Sequence, residues 1–167
     1  MVVANPANTN ATIFTSTWYE GNQTLKDNEK INAQNWDVIF EVRQQALKVL
    51  EEAREKGIIG SGLDAEVKIY CEDKTKKTLL LLEDELRFVL ITSDAEVDDI
   101  NNASSNAQTF ELANKETIKI EIRKSDHNKC VRCWHLREDV GKHDQHPELC
   151  SRCIENIEGT GEVRQYA

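Results

Sequence analysis

Four cysteines constrain what this chain can fold into more than any other feature. Cys130 and Cys133 form one C-x2-C pair and Cys150 and Cys153 a second, with sixteen residues between them. Two such pairs at this spacing read as a four-thiolate zinc site. Each C-x2-C turn lets two sulfurs converge, and two turns supply the corners of a tetrahedron. Zn²⁺ accepts thiolates at about 2.3 Å without geometric preference from d-electrons. Four sulfurs leave no open position for water or substrate, so the expected ion is structural rather than catalytic.

Two disulfides are the alternative, and a secreted domain would favour them. Met1 leads into Val-Val-Ala-Asn-Pro with no basic n-region and no apolar h-region, so the expected compartment is the reducing cytoplasm. The total of five cysteines is odd, with Cys71 alone in an apolar run, where a thiol behaves as an inert core residue. His127, His135, His143 and His146 are possible substitute ligands. Four cysteines already complete the site, so the histidines are expected to be bystanders, with His135 and His146 nearest the metal.

A length of 167 residues suffices for one ordinary domain and a small appendage. No apolar run approaches the length of a membrane span. The net charge of −9 disfavours sequence-blind adhesion to nucleic acid, which needs Lys and Arg against phosphate. The excess is uneven. Residues 1–118 hold 12 basic and 21 acidic groups, whereas residues 119–167 hold 9 of each. The cysteine-bearing end is therefore the less repulsive one for an anionic partner, although a solvated mixed-charge surface accounts for the same composition.

Residues 1–17 lack apolar periodicity and read as a flexible leader, with Trp18 and Tyr19 as anchors behind it. Over residues 34–56, Trp36, Ile39, Arg43, Ala46, Leu50 and Ala53 recur at steps of three and four, with Phe40 and Leu47 beside them. This predicts a helix with one apolar stripe, stopped at Gly57. Arg43 interrupts the stripe and is expected to snorkel or to meet a carboxylate. Ala65–Cys71 alternates as a half-buried strand. Residues 75–83 predict a short helix, 86–92 a more buried strand, 98–105 a loop, and 117–123 a strictly alternating strand. The Gly-rich turn at residues 59–65 lacks the Lys-Ser/Thr pair of a phosphate loop. The sum is an α+β layer followed from about Ser125 by a module poor in large apolar residues. Such a module depends on its ion, which in comparable cases contributes about 10–16 kcal/mol of apparent binding free energy.

The chain resembles the C-terminal end of bacterial isoleucyl-tRNA synthetases, members of the class I aminoacyl-tRNA synthetases. The residues that carry this are Cys130-Val-Arg-Cys133-Trp134-His135, Asp139-Val140-Gly141, His146, Cys150-Ser-Arg-Cys153 and the closing Gly159-Thr-Gly-Glu-Val-Arg-Gln-Tyr-Ala167. Upstream, Trp18-Tyr19-Glu20, Trp36-Asp37 with Val42-Arg43, Gly60 to Ala65, and Asp84 to Leu90 agree. Val131 stands where the family usually has proline. The resemblance implies residues 1–57 as a leader and the end of a helical anticodon-binding region, 58–124 as an α+β junction domain, and 125–167 as a zinc ribbon or hairpin. It implies one zinc ion and a role in holding tRNA(Ile) within the whole, monomeric, ATP-dependent enzyme, alongside the rest of the synthetase chain. The HIGH and KMSKS strings of the catalytic core do not occur here, so this piece alone is expected to be non-catalytic.

On this reading the zinc turns present Lys129, Arg132, Trp134, Arg137 and Arg152 to RNA. Arginine can grip phosphate with two parallel hydrogen bonds, and an aromatic can stack on an unpaired base. Two plainer roles compete: Trp134 as the tiny core over the sulfurs, and Arg132 and Arg152 as stabilisers of the thiolates. A different class of function is a structural module that clamps the parent enzyme's own domains without touching RNA. A weaker rival is a repair finger, because formamidopyrimidine-DNA glycosylases carry a similar four-cysteine hairpin.

Overall fold

The computed structural model describes residues 30–166, together with Gly21. The predicted anchors Trp18 and Tyr19, and the leader before them, lie outside the described residues. A mixed α/β unit comes first. Helix α1 (Ala33–Glu55) is followed by strand β1 (Ala65–Cys71), helix α2 (Asp73–Leu80), helix α3 (Leu86–Leu90), and strands β2 (Asp94–Asp99), β3 (Gln108–Glu111) and β4 (Thr117–Lys124). The sheet runs β2-β1-β4-β3, with β1 parallel to β2 and β4 antiparallel to both β1 and β3.

Alternation in β1 and β4 decides the two faces of the sheet. Val67, Ile69 and Cys71 stand opposite Ile122, Ile120 and Ile118, and all six join the core. The intervening positions pair as charges and hydroxyls: Glu66 meets Arg123 at 2.7 Å, and the Tyr70 hydroxyl donates to Glu121 at 3.2 Å. Apolar pairs on one face and polar pairs on the other fix the register, since a one-residue slip would exchange them. Cys71 is fully buried here, and burial pushes its thiol up to about 12. It is an inert core residue, as its place in the sequence suggests.

Helix α1 starts with a capping box. The Asn32 side chain accepts from the Asn35 amide at 2.9 Å, and the Asn35 side chain accepts from the Asn32 amide at 3.1 Å. Gly57, at φ +67°, follows the last turn. The buried face is Ile39, Val42, Ala46, Val49, Leu50 and Ala53, rotated from the predicted stripe, so that Phe40 and Leu47 are exposed. Among the described residues Arg43 has no carboxylate partner. Its Nε donates to the Val89 carbonyl at 2.8 Å, satisfying an oxygen that the last turn of α3 leaves without a helical partner.

The predicted strand over residues 86–92 is in fact helix α3, ending in Ile91 in the left-handed region at φ 59°. A short apolar run does not distinguish strand from buried helix, and here the wider spacing decides. Leu79, Leu82, Leu86 and Leu90, at steps of three and four, are all buried, so the helical period of α2 carries through. Arg87 also reaches back three residues to the Asp84 carboxylate, a pairing that helical spacing permits. The true second strand, β2, lies just beyond. Its Ala95 and Val97 face the core between acidic residues.

The Gly-rich turn has a steric reason. Asp64 accepts from the amides of Gly60 and Ser61 at 3.1 and 2.8 Å. A Cβ on Gly62 would lie 2.8 Å from the Ile91 carbonyl oxygen. Gly62→Ala is therefore expected to destabilise the chain by about 1–3 kcal/mol, the usual cost of overpacking. Thermal unfolding of the two chains side by side measures it.

Candidate metal centre

Strands β5 (Asn128–Lys129) and β6 (Leu136–Arg137) form a two-stranded hairpin around the first cysteine pair. Cys130 donates its amide to the His135 carbonyl at 2.9 Å, and the Trp134 amide closes the turn on the Cys130 carbonyl at 2.9 Å. Trp134 takes a left-handed φ of 66° to complete it. The second pair opens helix α4 (Ser151–Glu158), with Cys150 at its N-cap and Cys153 one turn on. Helical i, i+3 spacing sets these two sulfurs side by side.

The four Sγ atoms of Cys130, Cys133, Cys150 and Cys153 all lie within 4.8 Å of one another. An ion with metal–sulfur bonds of about 2.3 Å requires tetrahedral edges of about 3.8 Å, and the Cys133 and Cys150 sulfurs stand 3.7 Å apart. The Cys150 amide points at the Cys130 sulfur at 3.4 Å, an outer hydrogen bond that favours the thiolate. Cys130, Cys150 and Cys153 are buried, with Val140 among them and Leu149 against them. No disulfide joins any of the five cysteines. The donor set fits one zinc ion with a closed shell, whose role is to hold hairpin and helix together.

Without a cation this cluster cannot carry four negative charges. The sulfur–sulfur contact between Cys133 and Cys150 pulls Cys133 below the ordinary thiol range and pushes Cys150 above it. Burial raises Cys153. Metal binding must displace the thiol protons.

The Asp139-Val140-Gly141 string, read in the sequence only as a signature, has separate roles. The Asp139 carboxylate accepts from the Ser151 amide at the start of α4. Val140 supplies apolar packing, and Gly141 turns at φ +94°. None of the four histidines enters the sulfur cluster. His135 lies beside the first pair, with Nδ1 3.2 Å from the Cys133 carbonyl and its ring edge-on to Phe88 at 5.8 Å. His146 instead meets Glu158 at 2.6 Å.

The five basic or aromatic candidates separate into two sets. Trp134 is 59% exposed and is not part of the core over the sulfurs. Lys129 holds its Nζ 5.5 Å from the centre of that ring, and Arg132 donates to the Cys153 sulfur at 3.7 Å. Arg137 points inward to the Ser93 carbonyl at 3.1 Å and towards Asp94 at 3.7 Å. Arg152 binds Glu162 at 3.0 Å and lies 5.1 Å from the centre of the Phe88 ring. Ser93, which drew no notice in the sequence, joins the two units. Its hydroxyl donates to the Leu63 carbonyl and accepts from the Leu136 amide at 2.7 Å.

Hairpin, helix and converging thiols define the class as a structural four-cysteine zinc finger attached to an α/β unit. Residues 128–156 match the family described as a zinc finger found in FPG and IleRS. The chain is 46% identical over 155 residues to the isoleucine--tRNA ligase of Psychromonas ingrahamii, covering 93% of this chain and 16% of that protein. It is 44% identical over 162 residues to the same ligase of Ectopseudomonas mendocina, covering 97% and 17%. The chain is thus a relative of the isoleucine--tRNA ligases, matched along nearly its whole length to about one sixth of theirs.

Cys130→Ser is expected to abolish stoichiometric zinc and to disorder residues 125–166, while the β1–β4 ladder persists. Metal analysis together with amide exchange across both regions checks this. Simultaneous loss of the ladder would mean that the two hydrophobic clusters form one cooperative unit.

Proposed function

We propose that this chain is the zinc-bearing, RNA-contacting region of a cytoplasmic isoleucine--tRNA ligase, supporting tRNA(Ile) binding and aminoacylation by the whole monomeric enzyme. In that reading residues 58–124 are a junction domain, 125–167 the zinc module, and α1 the end of the helical anticodon-binding region. The single observation that carries the proposal is Trp134. A large aromatic with more than half its surface exposed, a lysine over its ring and a metal-fixed turn beneath it is arranged for stacking rather than for a core. The contacting face narrows to Trp134, Lys129 and Arg132, which is exposed even though it also reaches the Cys153 sulfur, whereas Arg137 and Arg152 are part-buried in contacts within the chain.

Stacking of a base on an aromatic contributes about 1–3 kcal/mol. In the full ligase, Trp134→Ala is accordingly expected to weaken tRNA binding by about tenfold with zinc content unchanged. Arg132→Glu should weaken it further, through both phosphate and thiolate. Equilibrium tRNA binding alongside metal analysis makes the test. Unchanged tRNA affinity in both variants would favour the structural-clamp reading, which the inward contacts of Arg137 support. The isolated chain, at net charge −9, should bind tRNA weakly and lose binding steeply as salt rises. Filter binding across a salt series reads that directly.

A further inference from the structure

The last residues turn back across the molecule after α4. Gly161, at φ +90°, makes the turn. Glu162 then meets Arg152 and Arg164 at 3.0 and 2.9 Å. The Arg164 guanidinium lies 4.0 Å from the centre of the Phe88 ring. The amides of Gln165 and Tyr166 both donate to the Glu85 carboxylate at 2.7 Å. Tyr166 packs against the main core, with the Lys30 ammonium 5.8 Å from its ring centre. Residues 159–166 therefore run as a strap from the zinc module to the turn before α3, covering a cavity of about 350 Å³ lined by Arg87, Phe88, Arg152 and Arg164.

One side chain connects this strap to the metal centre. Arg152 stands between the ligands Cys150 and Cys153 on the first turn of α4. Its guanidinium meets Glu162 at 3.0 Å and lies 5.1 Å from the centre of the Phe88 ring. It is largely buried, and Glu162 beside it is three-quarters buried, so the pair is shielded and stronger than a surface ion pair. An ion that fixes Cys150 and Cys153 also fixes the backbone of Arg152, and with it the partner of Glu162.

We propose that Arg152 is a positioning residue through which the zinc centre holds the 159–166 strap closed against α3. Loss of the Arg152–Glu162 contact frees the strap even while zinc stays bound. The inference does not depend on RNA binding, since it concerns contacts within the chain.

Amide exchange followed by mass spectrometry on the zinc-loaded chain tests it. Arg152→Ala should raise exchange at Gln165 and Tyr166 by about tenfold, the effect of losing one charged hydrogen bond. Arg152→Lys should recover part of the protection. Glu162→Gln, which leaves the sulfurs untouched, should release the same two amides with one zinc still bound per chain. This variant keeps the test decisive should Arg152→Ala lose its metal. Protected Gln165 and Tyr166 amides in Glu162→Gln would overturn the proposal. So would a zinc-loaded Arg152→Ala chain whose strap exchanges no faster than the parent's.

Discussion

Thiolates brought within 4.8 Å of one another repel strongly, and only a cation at their centre lets all four stay charged. Hairpin and helix α4 share little apolar surface, chiefly Val140 and Leu149 around the sulfurs. The folding free energy of this end must come mainly from the metal. Whatever lies on the hairpin tip or on the first turn of α4, including Trp134 and Arg152, takes its place from that one centre.

The α/β unit is held differently. Its core is a continuous apolar cluster from Ile31 to Ile120, and its register is set by which face of β1 and β4 each residue occupies. Besides the 159–166 strap, the two units meet through directed contacts that include Ser93 with Leu63 and Leu136, Arg137 with Ser93, and Phe88 against His135. Directed polar contacts fix orientation more than they add stability. They align the hairpin with the sheet without merging the two cores.

What the sequence disclosed follows from the same physics. The cysteine spacing located the metal site because ligand geometry leaves few alternatives. Alternation placed β1 and β4, and three-four spacing placed α1, because in each case one face is buried; the apolar run Leu79 to Leu82 marked the short helix α2. Helix α3 looks like a strand in sequence because Leu86 to Thr92 is apolar apart from Arg87 and Thr92, and only the link back to Leu79 and Leu82 shows its period. Strand β2 was hidden by its acidic composition, which disfavours strands when read locally. Ser93, Glu85 and the inward turn of Arg137 could not be foreseen, since each has a partner forty or more residues away, and Arg152 pairs with Glu162 only because the chain turns back after α4.

The acidic strand β2 has one more consequence. It is an edge strand, and an open edge is a template for pairing with another chain. Asp94, Glu96, Asp98 and Asp99 line this one, so a second copy approaching edge to edge meets like charge. The carboxylates that hide the strand in the sequence thus work against edge-to-edge pairing. They also leave that side of the molecule unwelcoming to any polyanion.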